Sequence, residues 1–63
     1  MKYYSVTTIA DDRDNVTANI TSTIESASIP KAGFTATDKV DIYIDWFDSL
    51  KEALEFVKFV NMA

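Results

Sequence analysis

Between residues 40 and 60 the apolar pattern changes period once, and that switch limits what the chain can fold into. Val40, Ile42, Ile44 and Trp46 alternate with Asp41, Tyr43, Asp45 and Phe47. This period of two reads as a strand with one buried face. Leu50, Ala53, Leu54, Val57 and Val60 then recur at spacings of three and four. At ~100° per residue they form one apolar stripe on a helix. Neither face is stable alone in water, so strand and helix are expected to pack on each other.

Two further strands are expected upstream. Residues 2–10 are rich in Tyr, Val, Thr and Ile, which suit a pleated surface. Asp11, Asp12, Arg13, Asp14 and Asn15 tolerate turns. From Val16 the sequence alternates again, with Val16, Ala18, Ile20, Ser22 and Ile24 in one row and Thr17, Asn19, Thr21 and Thr23 in the other. Two strands around a short polar loop predict an antiparallel hairpin. Pairing Ala10 with Val16 places Tyr4, Val6, Ala18 and Ile20 on one face and buries the better apolar set. Residues 29–34 hold the lone Pro30 and the lone Gly33 and read as a turn. Ile29 and Phe34 are expected to fold back as a lid on the core edge. Asp48 can cap the helix, or Ser49 can, with Glu52 completing a capping box. The expected fold is α+β: β-β-β-α, a three-stranded antiparallel sheet with a C-terminal helix packed on one face. It forms one domain over 1–63, with hairpin 2–25, turn region 26–38, strand 39–47 and helix 49–62. The other sheet face, with Thr17, Asn19, Thr21, Asp41, Tyr43 and Asp45, is left to solvent or a partner.

Size and composition exclude most chemistry. A chain of 63 residues buries only about 60% of its unfolded surface, so its core is marginal. It contains no cysteine and no histidine. That removes disulfides, thiolate or imidazole metal sites, and Cys–His or Ser–His–Asp catalysis. No apolar run approaches the ~20 residues of a membrane span, and no secretory signal pattern is visible. The expected location is therefore intracellular, in the cytoplasm. Ten acidic and six basic side chains give a net charge of −4, and the lone arginine, Arg13, sits among aspartates. Direct nucleic-acid binding relies on clustered Lys and Arg, so a basic protein surface is the more natural partner.

The remaining candidates divide by geometry. Asp11, Asp12 and Asp14 resemble a calcium loop, but an EF-hand starting at Asp12 would need glycine at Thr17 and glutamate at Thr23. No metal and no cofactor are expected. The sequons at Asn15 and Asn19 read as strand residues on the wet face. Asp41 and Asp45 lie roughly 13–14 Å apart along a strand, wide for an acid–base pair, and no glycine-rich phosphate loop exists. Tyr43 stands between these two acids, and Phe47 ends their row. On the helix, counting from Leu50, Glu55 falls near ~140°, Phe59 near ~180° and Glu52 near ~200°. Phe59 therefore stands among acids opposite the stripe, with Phe56 at its edge. Exposed aromatics rimmed by charge mark contact surfaces. Asp41, Tyr43, Asp45, Glu52, Glu55, Phe59 and the turn acids Asp11, Asp12 and Asp14 are the expected partner-binding residues.

The run Tyr3 to Thr21, with its polar tip, and the ending Asp45-Trp46-Phe47-Asp48-Ser49-Leu50-Lys51-Glu52-Ala53 resemble small proteins of bacterial prophages and mobile elements. In size, acidity and plain fold the chain is similar to anti-CRISPR proteins, which share no common sequence signature. The resemblance implies a non-enzymatic, stoichiometric inhibitor whose acidic surface occupies the basic groove of an RNA-guided nuclease. The competing expectation is a homodimeric interaction module, joined through the exposed sheet face or the third-strand edge.

Overall fold

The computed structural model describes residues 1–62. The hairpin comprises β1 (Lys2–Asp11) and β2 (Val16–Glu25), with Ala10 opposite Val16. Thr8 faces Ala18 and Val6 faces Ile20, so the buried row is the expected one. The alternation then breaks. Ser5 pairs with Ser22 while Val6 pairs with Ile20, leaving Thr21 as an extra residue in a β-bulge. Hydroxyls stitch the bulge. Thr21 Oγ1 lies 2.9 Å from Ser5 Oγ and 2.8 Å from Thr7 Oγ1, and Ser5 Oγ lies 2.8 Å from Ser22 Oγ. Because the side-chain period is two, one inserted residue exchanges the faces beyond it. Ile24 therefore pairs with Tyr3 and leaves the face of Ala18 and Ile20, contrary to simple alternation.

The sheet has four strands rather than three. Residues 33–36, within the segment expected to be a turn, form a short strand, β3 (Gly33–Ala36), ahead of β4 (Val40–Phe47). Phe34 is thus a strand residue opposite Tyr43 and not part of a lid. Gly33 has no positive φ; the left-handed position is Asp14, at φ 63°, in the hairpin tip. Strand order is β2-β1-β4-β3, with every neighbouring pair antiparallel. The β2–β3 connection therefore runs from one edge of the sheet to the other, across β1 and β4.

The helix α1 (Leu50–Met62) follows β4 after two residues. Ser49 is its cap: its Oγ accepts from the Glu52 N–H at 3.4 Å and its carbonyl from the Ala53 N–H at 3.0 Å. The helix packs chiefly on β2, then β1, and least on β4. Val6, Ala18 and Ala53, each fully buried, form the centre of the core, with Tyr4, Ile20, Phe47, Phe56, Val57 and Val60 around them. Phe56 packs on Phe47 with ring centroids 5.2 Å apart, which is worth up to ~1 kcal/mol beyond area burial. This contact rotates the helix from the expected orientation. Phe56 moves from the stripe's edge into the core, and Leu50 and Leu54 turn outward and stay exposed.

The helix end is fastened to the free edge of the sheet. Asn61 Oδ1 accepts from the Ala18 N–H at 2.9 Å, and Asn61 Nδ2 donates to the Ala18 carbonyl at 3.1 Å. One side chain thus satisfies both outward backbone groups of an edge-strand residue. Thr8 has the opposite fate. It is 8% exposed, and its Oγ1 has no hydrogen-bond partner in the protein. Asn61→Ala is expected to lower stability by about 1–3 kcal/mol, since it strips two bonds from partly buried groups. Thr8→Val removes an unmade bond without changing shape and is expected to be neutral or to stabilise by about 1 kcal/mol. Urea unfolding of both variants, read as midpoint shifts at constant m-value, checks the opposite signs.

Candidate partner-binding surface

The pairing of β4 with β1 decides where the expected contact residues go. Tyr43 stands opposite Thr8, Asp45 opposite Val6 and Asp41 opposite Ala10. Thr8 and Val6 belong to the helix-covered face, so Asp41, Tyr43 and Asp45 lie on that face too. This corrects the expectation that they share the free face with Thr17, Asn19 and Thr21. The cause is topological. β1 is central and presents Tyr4, Val6 and Thr8 to the helix, and an antiparallel neighbour must match its pleat. Val40, Ile42, Ile44 and Trp46 consequently face away from the helix.

Asp41 and Tyr43 nevertheless remain accessible, because the helix sits over β2 and β1 and makes no packing with β3. Asp41 is exposed and Asp45 half-buried. Tyr43 is 41% exposed and packs on Phe34, which is 60% exposed, with ring centroids 5.0 Å apart. The uncovered half of this face is thus an aromatic pair bordered by aspartates.

One end of the sheet concentrates the negative charge. Asp11 ends β1 opposite Val40, so the hairpin tip and the β3–β4 turn adjoin. Asp11, Asp12, Asp38, Lys39 and Asp41 line a shallow recess of about 160 Å³ between them. The β3–β4 turn is held by Thr37, whose Oγ1 accepts from the N–H groups of Lys39 at 3.3 Å and Val40 at 3.1 Å. Asp14, exposed, lies in the same tip. Within these two turns, residues 11–14 and 37–41, five aspartates accompany one arginine and one lysine, Arg13 and Lys39. Asn61, bonded to Ala18, brings the helix C-terminus toward the same end, and its last turn carries no basic residue. The negative end of the helix dipole therefore adds to the field of the aspartates.

Asp11 organises the tip. Its Oδ1 accepts from the Asn15 and Arg13 N–H groups, both at 2.9 Å, and its Oδ2 accepts from Asn15 Nδ2 at 3.2 Å. The Asn15 backbone bond is the main cause that holds its carboxyl below the ordinary 3.8, with partial desolvation opposing and Arg13 assisting.

The structure brings Asp11, Asp12 and Asp41 to one recess, with Tyr43 next in the same row of β4 and Asp45 one further step away from it. It does not bring the helical residues there. Glu52, Glu55 and Phe59 are exposed on the outer side of the helix, and Phe59 joins no aromatic pair among the described residues. Phe34, Asp38 and Lys39 complete the surface and were not expected to. Phe34 was hidden by the turn signals of Pro30 and Gly33. Asp38 and Lys39 read simply as the approach to a strand. Among the described residues no acidic group is arranged to hold a metal ion, and no helix is long and apolar enough to cross a membrane. No protein family, curated protein or solved structure matches the chain.

Since its folded-state pKa is depressed, Asp11 contributes stability that is present above about pH 4 and is lost as pH falls through the lower folded value. Side-chain carboxyl NMR is expected to give Asp11 a midpoint below 3.8. The amide shifts of Arg13 and Asn15 are expected to follow the same midpoint.

Proposed function

We propose that the protein is a non-enzymatic acidic binding protein that inhibits, one to one, a protein with a cationic nucleic-acid-binding surface. One observation carries this reading: Asp11, Asp12, Asp38 and Asp41 converge on a single end of the sheet, next to the exposed Phe34–Tyr43 pair. Carboxylates accept strong, often bidentate hydrogen bonds from Arg and Lys. In a free protein such an end also steers a cationic partner and speeds association. The aromatic pair supplies what charge alone lacks, an apolar anchor that can be fully desolvated at the centre of a contact. The chain presents acids where a nucleic acid presents phosphates. An RNA-guided nuclease, which holds its heteroduplex in a positively charged channel, is the partner class that combines this chemistry with the resemblance to anti-CRISPR proteins.

Competition binding against target DNA tests the proposal, with a purified CRISPR effector as the partner. Asp38→Asn combined with Asp41→Asn is expected to weaken binding about tenfold or more and to reduce its salt dependence, as the loss of rim charges does. Phe34→Ala is expected to raise the dissociation rate with little change in salt slope. Equal affinity and equal salt slope in the aspartate variant would exclude charge mimicry at this end of the molecule.

A further inference from the structure

The acidic end and its aromatic pair leave half of the molecule unexplained. On the face away from the helix, Ile42 and Ile44 of β4 stand beside Ile9 of β1, while at the Lys2 end of the same face Tyr3 and Ser5, 6% and 2% exposed, are already buried next to Trp46 and Ile24. Ile9 is exposed, and Ile24, Ile42, Ile44 and Trp46 are only half-buried. We propose that this face is an interface with a second copy of the same chain, packed sheet to sheet with the helices outside.

Charge selects the occupant. The chain carries −4, so it meets its own copy at least electrostatic cost through a surface free of acids. In a two-fold contact the same patch lies on both sides and like charges oppose each other. The helix side cannot satisfy this, because it bears Asp41 and Asp45. The other side does. Its strand positions carry no Asp, Glu, Lys or Arg except Asp11, which ends its row and turns its carboxylate into the hairpin tip. The Ile and Trp centre is bordered by Thr17, Asn19 and Thr35, uncharged and exposed. A charge-depleted apolar centre inside a polar rim is the anatomy of a protein interface.

Size and stability agree. Strands of 10, 10, 4 and 8 residues at ~3.3 Å rise and ~4.8 Å spacing give a sheet face of roughly 500 Å² in projection. Because Tyr3 and Ser5 on this face are already buried, two such faces in contact cover at most about 1,000 Å² in projection, the lower end of specific interfaces. Within one chain the buried apolar residues are Tyr3, Val6, Ala18 and Ala53, a small core with no disulfide to support it. Packing two sheets about 10 Å apart adds a second core from Ile9, which is exposed, and from Ile42, Ile44 and Trp46, which are half-buried in one chain. Edge-to-edge pairing is the weaker route, since Asn61 occupies the β2 edge at Ala18 and β3 has only four residues.

Trp46 is the sole tryptophan and lies on this face, so it reports the contact directly. Analytical ultracentrifugation of the full chain across a dilution series is expected to show a species of twice the 7.1 kDa chain mass, dissociating with a concentration-dependent red shift of Trp46 emission. Ile42→Lys and Thr35→Glu are each expected to weaken association tenfold or more, and Phe59→Asp, on the helix exterior, to leave it unchanged. Thr35→Glu alters only an exposed rim position, so it decides the matter if Ile42→Lys fails to fold. A monomer at every concentration, with emission insensitive to dilution, overturns the proposal and leaves the face to a different protein. A dimer that persists in Thr35→Glu with unchanged affinity also overturns it and moves the contact to a strand edge. Neither result bears on the acidic end, whose partner is tested with Asp38 and Asp41.

Discussion

The pairing of β1 with β4 is the constraint from which the rest of the molecule follows. β1 is the central strand on which the helix-covered core is built, and it offers Val6 and Thr8 to the helix side. Once β4 joins it with Asp45 opposite Val6 and Tyr43 opposite Thr8, the pleat leaves no freedom. The acidic and aromatic row of β4 is carried to the helix side, and its aliphatic row is carried to the other. The helix is too short and too far toward β2 to cover both halves of its face. A polar, ring-bearing surface beside the helix and an aliphatic surface opposite it are thus two consequences of one register.

The parts of the fold governed by local pattern were legible in the residues. The hairpin register followed from matching Val6 with Ala18 and Ile20, and the helix from its recurring apolar positions and from Ser49. What was not legible depended on long-range pairing. The alternation of β4 announces that one row is more apolar than the other; it does not say which strand lies beside it or which face the helix takes. The natural inference, that Val40, Ile42, Ile44 and Trp46 pack on the helix, assumes that the most apolar row wins. Instead the two-residue link after Phe47 and the contact of Phe56 with Phe47 place the helix on the other side. The bulge at Thr21 was hidden for a similar reason. Thr and Ser alternate without a change of polarity there, so an inserted residue leaves no trace in the pattern.

The candidate surface was legible in composition and not in arrangement. Acids at 11, 12, 14, 41 and 45 could be singled out as charged groups near aromatics. Their convergence required knowing that the β1–β2 tip and the β3–β4 turn sit at the same end, which depends on a strand that Pro30 and Gly33 conceal. The helical acids show the converse. Glu52, Glu55 and Phe59 cluster on the helical wheel as expected, but a wheel gives only the face, and here that face points away from the sheet.

The division of charge between the two sides also explains how so slight a core is compatible with a specific fold. Burying one more Leu- or Ile-sized side chain contributes roughly 1.5–3 kcal/mol, a large fraction of the few kcal/mol available to a single core of this size. Leu50 and Leu54, both exposed, forgo much of that gain, and the half-buried Ile42, Ile44 and Trp46 forgo part of it. A chain that keeps apolar side chains on its surface risks indiscriminate association unless something restricts the geometry. Here the restriction is electrostatic. Asp41 and Asp45 on the helix side and the aspartates at the sheet's end make those surfaces less favourable for a like-charged copy, and the Asn61 clamp closes part of the β2 edge. In the proposed reading, the carboxylates that would attract a cationic partner are the same groups that disfavour an identical chain on their side of the sheet.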